Sequence, residues 1–434
     1  CLRGAQAEIV SVEACFQPAG DNGPDRTEVS LSGLPDAVVR DARMRVMSAL
    51  ERTGLGPGPG RLHVNLVPAG RKKRGELLDV PLALAAAGAA GHVEARRLGR
   101  TLFLGELGID GRLHDVPGAL AAAAAARESG IEQVVAPPRS AREAAHLPGI
   151  RAIEAADLEQ AFATLWGRGP RPLPPPETSP SRRDLGGLTG VRGQALGLHA
   201  AEVAAAGGHG LLLVGPPGTG KSMLARALAG LLPEPSLDER IEITRLASAL
   251  GRWPGGLVTQ RPFRAPHHTA SFAGLVGGGS PPRAGEITLA HRGLLFLDEL
   301  PEFKRDVLQT LRQPLENGQV TLSRATGRLE LPASFQLVAA MNPCPCGFLG
   351  HPTRTCHDAP SSVTVRSGSS RWPRSMRSSP SEVSMCAWID PSPKGTSVMT
   401  WFIRTVWVGV GATSACSSRI ARAAAIQSSV RNTY

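Results

Sequence analysis

Long apolar runs are missing from this chain. Across its 434 residues no uninterrupted hydrophobic stretch reaches about 18 residues, so no membrane-spanning helix is expected. Cysteine is scarce too: Cys1, Cys15, Cys344, Cys346, Cys356, Cys386 and Cys416 are the whole set. An odd number spread thinly over a long chain is not the framework of a small secreted disulfide protein, and a reducing cytoplasm fits it better. The N-terminus carries no signal-peptide pattern and opens on Cys1 rather than Met, as a chain lacking its first few residues would.

Net charge is also less informative than its total of +11 suggests. Residues 357–434 carry nine Arg or Lys against three Asp or Glu, whereas residues 1–356 carry 39 against 34. Most of the chain is therefore near balance. Bulk charge makes no case for DNA, and local basic loops would have to carry it.

What the chain does have is Gly215-Pro216-Pro217-Gly218-Thr219-Gly220-Lys221-Ser222, placed after the apolar run Leu211–Val214 and before a helical pattern from Met223 to Ala229. Strand, glycine-rich turn, then Lys-Ser opening a helix is the context of a phosphate-binding loop. Glycines let backbone N–H groups curl inward, and the helix end adds donors and a favourable dipole. Lys221 would reach the β- and γ-phosphates of a nucleotide such as ATP, and Ser222 would hold Mg²⁺ through its hydroxyl.

A second mark lies 77 residues after Lys221. Leu294–Leu297 is four apolar residues ending in Asp298 and Glu299, which describes a buried parallel strand whose C-terminal end faces the nucleotide. Asp298 would complete the Mg²⁺ shell, and Glu299 would polarise the attacking water. A third strand, Phe335–Met341, ends on Asn342, whose amide can bond both the γ-phosphate and that water. Between these marks, the His267-His268 pair reads as loop structure, because adjacent side chains rarely converge on one ion. Residues Gln319–Leu331 read as a hairpin turning at Ala325–Gly327, with Arg324 and Arg328 flanking its tip. That tip is either solvated or a phosphate-touching pore loop.

The rest of the chain divides by composition. Residues 1–165 alternate strands (Glu8–Ala14, Arg61–Leu66, Ile131–Ala136) with helices (Asp36–Leu50, Val80–Ala90, Ala119–Glu128, and one from near Ser140), a compact α/β domain. Residues 166–183 are rich in Pro, Arg and Ser and read as a semi-extended linker. Residues 184–356 form the phosphate-loop domain. Residues 357–434 contain no Leu, seventeen Ser and four of the six Trp, and show no sustained periodicity apart from a fragment near Ile420 to Ile426, so an unstructured tail is expected. The break at Cys356 is best explained by a shifted reading frame or a mis-joined gene, a basic extension being the alternative.

Taken together, these motifs resemble the magnesium-chelatase-like AAA+ ATPases of the YifB/ComM type. The likeness is carried by the phosphate loop, Phe263–Thr269, Gly277–Ile287, Leu295–Phe303 and Met341–Gly347. In the N-terminal part, Leu31–Asp36, Val64–Ala69 and Gly105–Gly111 look like that family's Lon-protease-like domain. The resemblance implies a ring-forming ATPase, a hexamer of identical subunits, using ATP and Mg²⁺ and acting on DNA as a branch-migration helicase in recombination or natural transformation. A chelatase-type protein-remodelling ATPase is the alternative. It also implies that Val191–Gln194 packs beside the adenine. Peptidase chemistry is opposed by the residues: Gly75–Pro81, matching the peptidase serine region, has no Ser, and Leu120 stands where the lysine would fall. Cys344, Cys346 and Cys356 look like part of the family's cysteine cluster, whose next position here is Asp358. Three thiolates with His351 or His357 can ligate zinc, and unligated cytosolic thiols are the other reading. The family's arginine-finger segment and helical lid have no match in 357–434. The expectation is weak ATP binding at best and a chain that is an inactive nucleotide-binding remnant if nothing replaces the finger.

Overall fold

The computed structural model describes residues 2–3, 6–20, 24–33, 36–68, 75–176, 191, 194–278, 283–324, 327–346, 355–357 and 406–409. The second half of the linker, the hairpin tip Ala325–Thr326, His351 and nearly all of the tail lie outside them. Within them the fold is mixed α/β, in two halves.

In the N-terminal half, Gly60–Val67 is the middle strand of a three-stranded sheet, antiparallel to Ser11–Pro18 and parallel to Thr27–Ser32. Its inward residues Leu62, Val64 and Leu66 are buried and their neighbours are not, the period of two that a one-sided sheet requires. Helix Asp36–Arg52 brings Ala42, Val46, Ala49 and Leu50 into the same core. A second sheet is all parallel, Arg151–Glu154 beside Gln133–Ala136 beside Thr101–Phe103.

Helix Ala119–Glu128 buries eight consecutive residues, Ala119 to Ala126. Alanine makes this possible, since a helix without long side chains can be approached closely on every side. The expected strand Glu8–Ala14 is corrected in register: the strand is Ser11–Pro18, with Val12, Ala14 and Phe16 turned inward, and Gln6–Ala7 pairs instead with Leu2–Arg3.

The second half is built on a five-stranded sheet in the spatial order Phe263–Arg264, Leu294–Leu297, Gln336–Met341, Leu211–Val214, Val406–Gly409. Every pairing is parallel. Leu211–Val214, Leu294–Leu297 and Gln336–Met341 are buried at every residue, as strands covered on both faces must be. The last strand corrects the expectation of an unstructured tail: Val406–Gly409 pairs with Leu211–Val214, Leu211 opposite Val406 through Val214 opposite Gly409. The hairpin expected at 319–331 is present as Gln319–Arg324 against Gly327–Pro332, with Ser323 opposite Arg328 and Arg324 opposite Gly327. The side chains of Arg324 and Arg328 lie outside the described residues.

The two halves dock through helix Leu237–Ala249, which lies against Ala119–Glu128. Its N-terminus is fixed by a capping box between Ser236 and Glu239. Ile241 and Leu257 join the N-terminal core around Leu120 and Ala123. At the seam, the buried Glu143 carboxylate accepts from Leu120 N at 2.8 Å and from Ser248 Oγ. Arg139 donates to the Trp253 carbonyl at 3.2 Å and lies over its ring. Among the described residues no helix is long and apolar enough to cross a membrane.

Candidate functional site

The sheet order places the loop. Leu211–Val214 comes first in the sequence of the five strands, yet it sits between Gln336–Met341 and Val406–Gly409. A crevice opens outside the carboxyl ends of such parallel strands, and here the ends carry Gly215, Asp298 and Asn342.

The loop runs from Gly215 to Gly220 and feeds helix Lys221–Leu231. Gly218 and Gly220 have φ of +81° and +83°, conformations a side chain would strain, and a Cβ at either would meet nothing. Thr219 folds its hydroxyl back onto the Pro216 carbonyl at 2.8 Å, and Gln194 donates to the Thr219 carbonyl at 3.2 Å. The helix behind the loop is held by Leu224, Ala227 and Leu228, all buried, while Met223 is half exposed.

Lys221 is only 9% exposed, and its three ammonium protons match three acceptors. They are the carbonyls of Gly215 at 2.7 Å and Pro216 at 2.9 Å, and Asn342 Oδ1 at 3.1 Å. Burial pulls its pKa below the ordinary lysine range, while the negative charge of Asp298 acts in the opposite direction. Ser222 Oγ donates to Asp298 Oδ2 at 2.6 Å. The helix start, the ammonium, the hydroxyl–carboxylate pair and the Asn342 amide are thus one connected cluster. Backbone donors and a cation attract an anion, and a hydroxyl beside a carboxylate is oxygen chemistry suited to a hard divalent cation.

Glu299 stands at the rim. Its φ of +52° is unusual for a residue with a side chain, at a cost on the order of 1–3 kcal/mol. Its side chain is about half exposed, and His268 Nδ1 lies 2.9 Å from its Oε2. This partner was missed in the sequence, where the histidine pair reads as loop. His267 and His268 do stack, with ring centroids 4.1 Å apart, and His267 Nδ1 bonds Thr269 Oγ1. The His268 ring nevertheless reaches the acid because Phe263–Arg264 is the neighbouring strand of Leu294–Leu297.

At the opposite end of that strand, Arg292 and His291 both reach Glu242, at 2.7 and 3.3 Å, and Arg261 reaches Glu239 at 2.7 Å. These contacts tie helix Leu237–Ala249 to the base of the sheet. Beyond Asn342, the sulfurs of Cys344, Cys346 and Cys356 all lie within 4.8 Å of one another.

Comparison with known proteins bears on the family of the chain. A family model described as magnesium chelatase, subunit ChlI, matches residues 187–368, and one described as subunit ChlI of Mg-chelatase matches residues 21–140. The chain is 42% identical to the protein YifB of Escherichia coli over 325 residues, 74% of this chain and 63% of that protein. It is 41% identical to the competence protein ComM of Haemophilus influenzae over 364 residues, 81% of this chain and 69% of that one. A shorter match, 30% identical over 159 residues, is to the magnesium-chelatase 38 kDa subunit of Acidiphilium rubrum, covering 31% of this chain and 45% of that subunit.

This chain belongs to the magnesium-chelatase-like family of the YifB/ComM type. It spans less than two thirds of the length of the Escherichia coli relative.

Proposed function

We propose that this chain is an AAA+ ATPase subunit that binds ATP with Mg²⁺ between Lys221 and Asp298 and works on DNA in a ring of identical copies. The observation that carries the nucleotide half is the convergence of two hydrogen-bonded pairs, Lys221 with Asn342 and Ser222 with Asp298, brought together by the adjacent Lys221 and Ser222 at the ends of parallel strands. ATP supplies the γ-phosphoryl group, and Mg²⁺ neutralises its charge. Gly215, Pro216 and Pro217 shape the loop; the amides of Gly218, Thr219, Gly220 and Lys221 face the phosphates. Lys221 exchanges its loop carbonyls for phosphate oxygens. Ser222 and Asp298 hold the cation, Glu299 takes the proton of the attacking water, and Asn342 orients that water.

The N-terminal half is read as a Lon-like domain without peptidase chemistry, joined by the linker, and the compartment as cytoplasm. The DNA half of the proposal is supported by the printed name of the competence relative and by the two arginines, Arg324 and Arg328, that the hairpin register sets at its last pairs. Titration of the full chain with a fluorescent ATP analogue, with and without Lys221→Ala, tests the nucleotide assignment. Unchanged binding in the variant overturns it. Salt-dependent binding of labelled DNA, weakened by Arg324→Ala with Arg328→Ala, tests the second half.

A chelatase-like remodelling motor acting on a partner protein is the competing reading, favoured by the descriptions of both family models. DNA binding that ignores the arginine pair supports it. Phosphate release from this chain separates a working ATPase from a remnant that only binds.

A further inference from the structure

Two residues past Asn342 the chain reaches Cys344 and then Cys346, and Cys356 returns to the same place. The Cys344 and Cys346 sulfurs are 3.4 Å apart, and those of Cys346 and Cys356 are 3.6 Å apart. Cys344 is fully buried and the other two are half-buried. None of the three is disulfide-bonded. A disulfide would draw two sulfurs to about 2.05 Å, which these separations rule out for the arrangement described. A tetrahedral zinc about 2.3 Å from each sulfur sets neighbouring sulfurs about 3.8 Å apart, close to the contacts seen.

The spacing in sequence has a reason as well. Cys-x-Cys puts two sulfurs on one side of a short turn, and the third comes from ten residues further on. One ion would therefore close a loop at the point where the chain leaves the strand that bears Asn342.

We infer that Cys344, Cys346 and Cys356 bind one zinc ion as thiolates, and that the ion fixes the turn following Asn342. Each thiol gives up its proton, so binding releases three protons and leaves a site of net charge −1. Among the described residues no His, Asp or Glu joins the three sulfurs, and His351 lies outside them. Zinc has no redox step here. Its part is mechanical, holding the Asn342 end of the strand beside Lys221 without touching a nucleotide. The inference stands apart from the nucleotide reading, because it is argued from the sulfur geometry alone.

The test uses the full chain, produced with zinc and purified under reducing conditions. Elemental analysis should find about one zinc per chain, and exchange for Co²⁺ should give thiolate-to-metal charge-transfer absorption with visible bands of a tetrahedral ion. Cys344→Ser, Cys346→Ser and Cys356→Ser should each weaken zinc binding by more than about 100-fold, since loss of a ligand exceeds the effect of losing its outer partners. Cys15→Ser, at an exposed cysteine elsewhere, should leave it unchanged.

Because a serine at the buried Cys344 can disturb folding, the unmutated chain provides a second measurement. Alkylation read by peptide mass should be blocked at all three cysteines by zinc, allowed by a chelator, and blocked again when zinc is restored. Equal alkylation with and without zinc, or one zinc per chain in every serine variant, overturns the inference.

Discussion

Asp79 and Lys221 are both charged and both nearly sealed from solvent, one in each half of the molecule, and their surroundings differ in kind. Asp79 is fully buried and held by Arg45 at 2.8 and 3.2 Å, with a third bond from the Leu107 amide at 3.3 Å. Every partner is a donor fixed in the fold, and the carboxylate itself is sealed, with only Arg45 partly exposed. Lys221 is held by two loop carbonyls and one side-chain amide, beside the strand ends that carry Asp298 and Asn342. A closed polar network stabilises one structure. An open one, whose members share the ends of several parallel strands, is arranged to exchange partners with something that arrives.

The largest expected effect that would break this comparison is on Lys221. Lys221→Ala should reduce affinity for an ATP analogue by on the order of 100-fold, because charge-assisted hydrogen bonds contribute roughly 1.5–3 kcal/mol each. Its thermal stability should hardly fall, since the cost of desolvating the ammonium is removed with it. In the closed network the outcome reverses. Arg45→Ala should leave ligand affinity alone and destabilise the chain by about 3 kcal/mol, the cost of stranding a buried charge, as read by urea denaturation.

That loss should depend on pH. Burial raises the pKa of Asp79 above the ordinary carboxylate range, and Arg45 works against the shift. Without Arg45 the folded-state pKa climbs further, so the charged form is penalised at alkaline pH and the defect shrinks as pH falls and the carboxyl is protonated.

Two smaller effects sharpen the contrast. Asn342→Ala should change analogue affinity by less than about tenfold, because a neutral amide loses one hydrogen bond, roughly 0.5–1.5 kcal/mol. Glu143→Gln, at the docking seam, should stabilise the chain by about 1 kcal/mol at pH 8 and by less at pH 5 in thermal unfolding. The sign follows from burial, which raises the folded pKa of Glu143. Its penalty is absent below the ordinary carboxylate pKa and develops as pH rises through the elevated value. Glutamine keeps the oxygen that Leu120 N and Ser248 Oγ bond and has no proton to lose.

How much of this was legible in the sequence depended on whether a signal was local. Helix Ala119–Glu128 was read at both ends because Gly118, at φ +82°, and Gly130 punctuate it. The glycine-rich turn before helix Lys221–Leu231 and the strand ending at Asp298 were legible for the same reason: each is a contiguous run with its own pattern.

The approach of His268 to Glu299 was not legible. It depends on which strand lies beside which, and Phe263–Arg264 is too short to show a period. Val406–Gly409 was missed because four residues in a serine-rich stretch carry no repeat, although Val-Trp-Val is strand-forming once a partner edge is supplied. The start of the first long strand slipped because Ile9 and Val10 are consecutive apolar residues, which blur an alternation that resumes cleanly at Val12.

The most direct test of the central claim is electron paramagnetic resonance of Mn²⁺ added to the full chain with a non-hydrolysable ATP analogue. The account predicts one nucleotide-dependent Mn²⁺ per chain, lost in both Ser222→Ala and Asp298→Asn. Mn²⁺ bound equally well in the two variants, or bound with no dependence on the nucleotide, would contradict it.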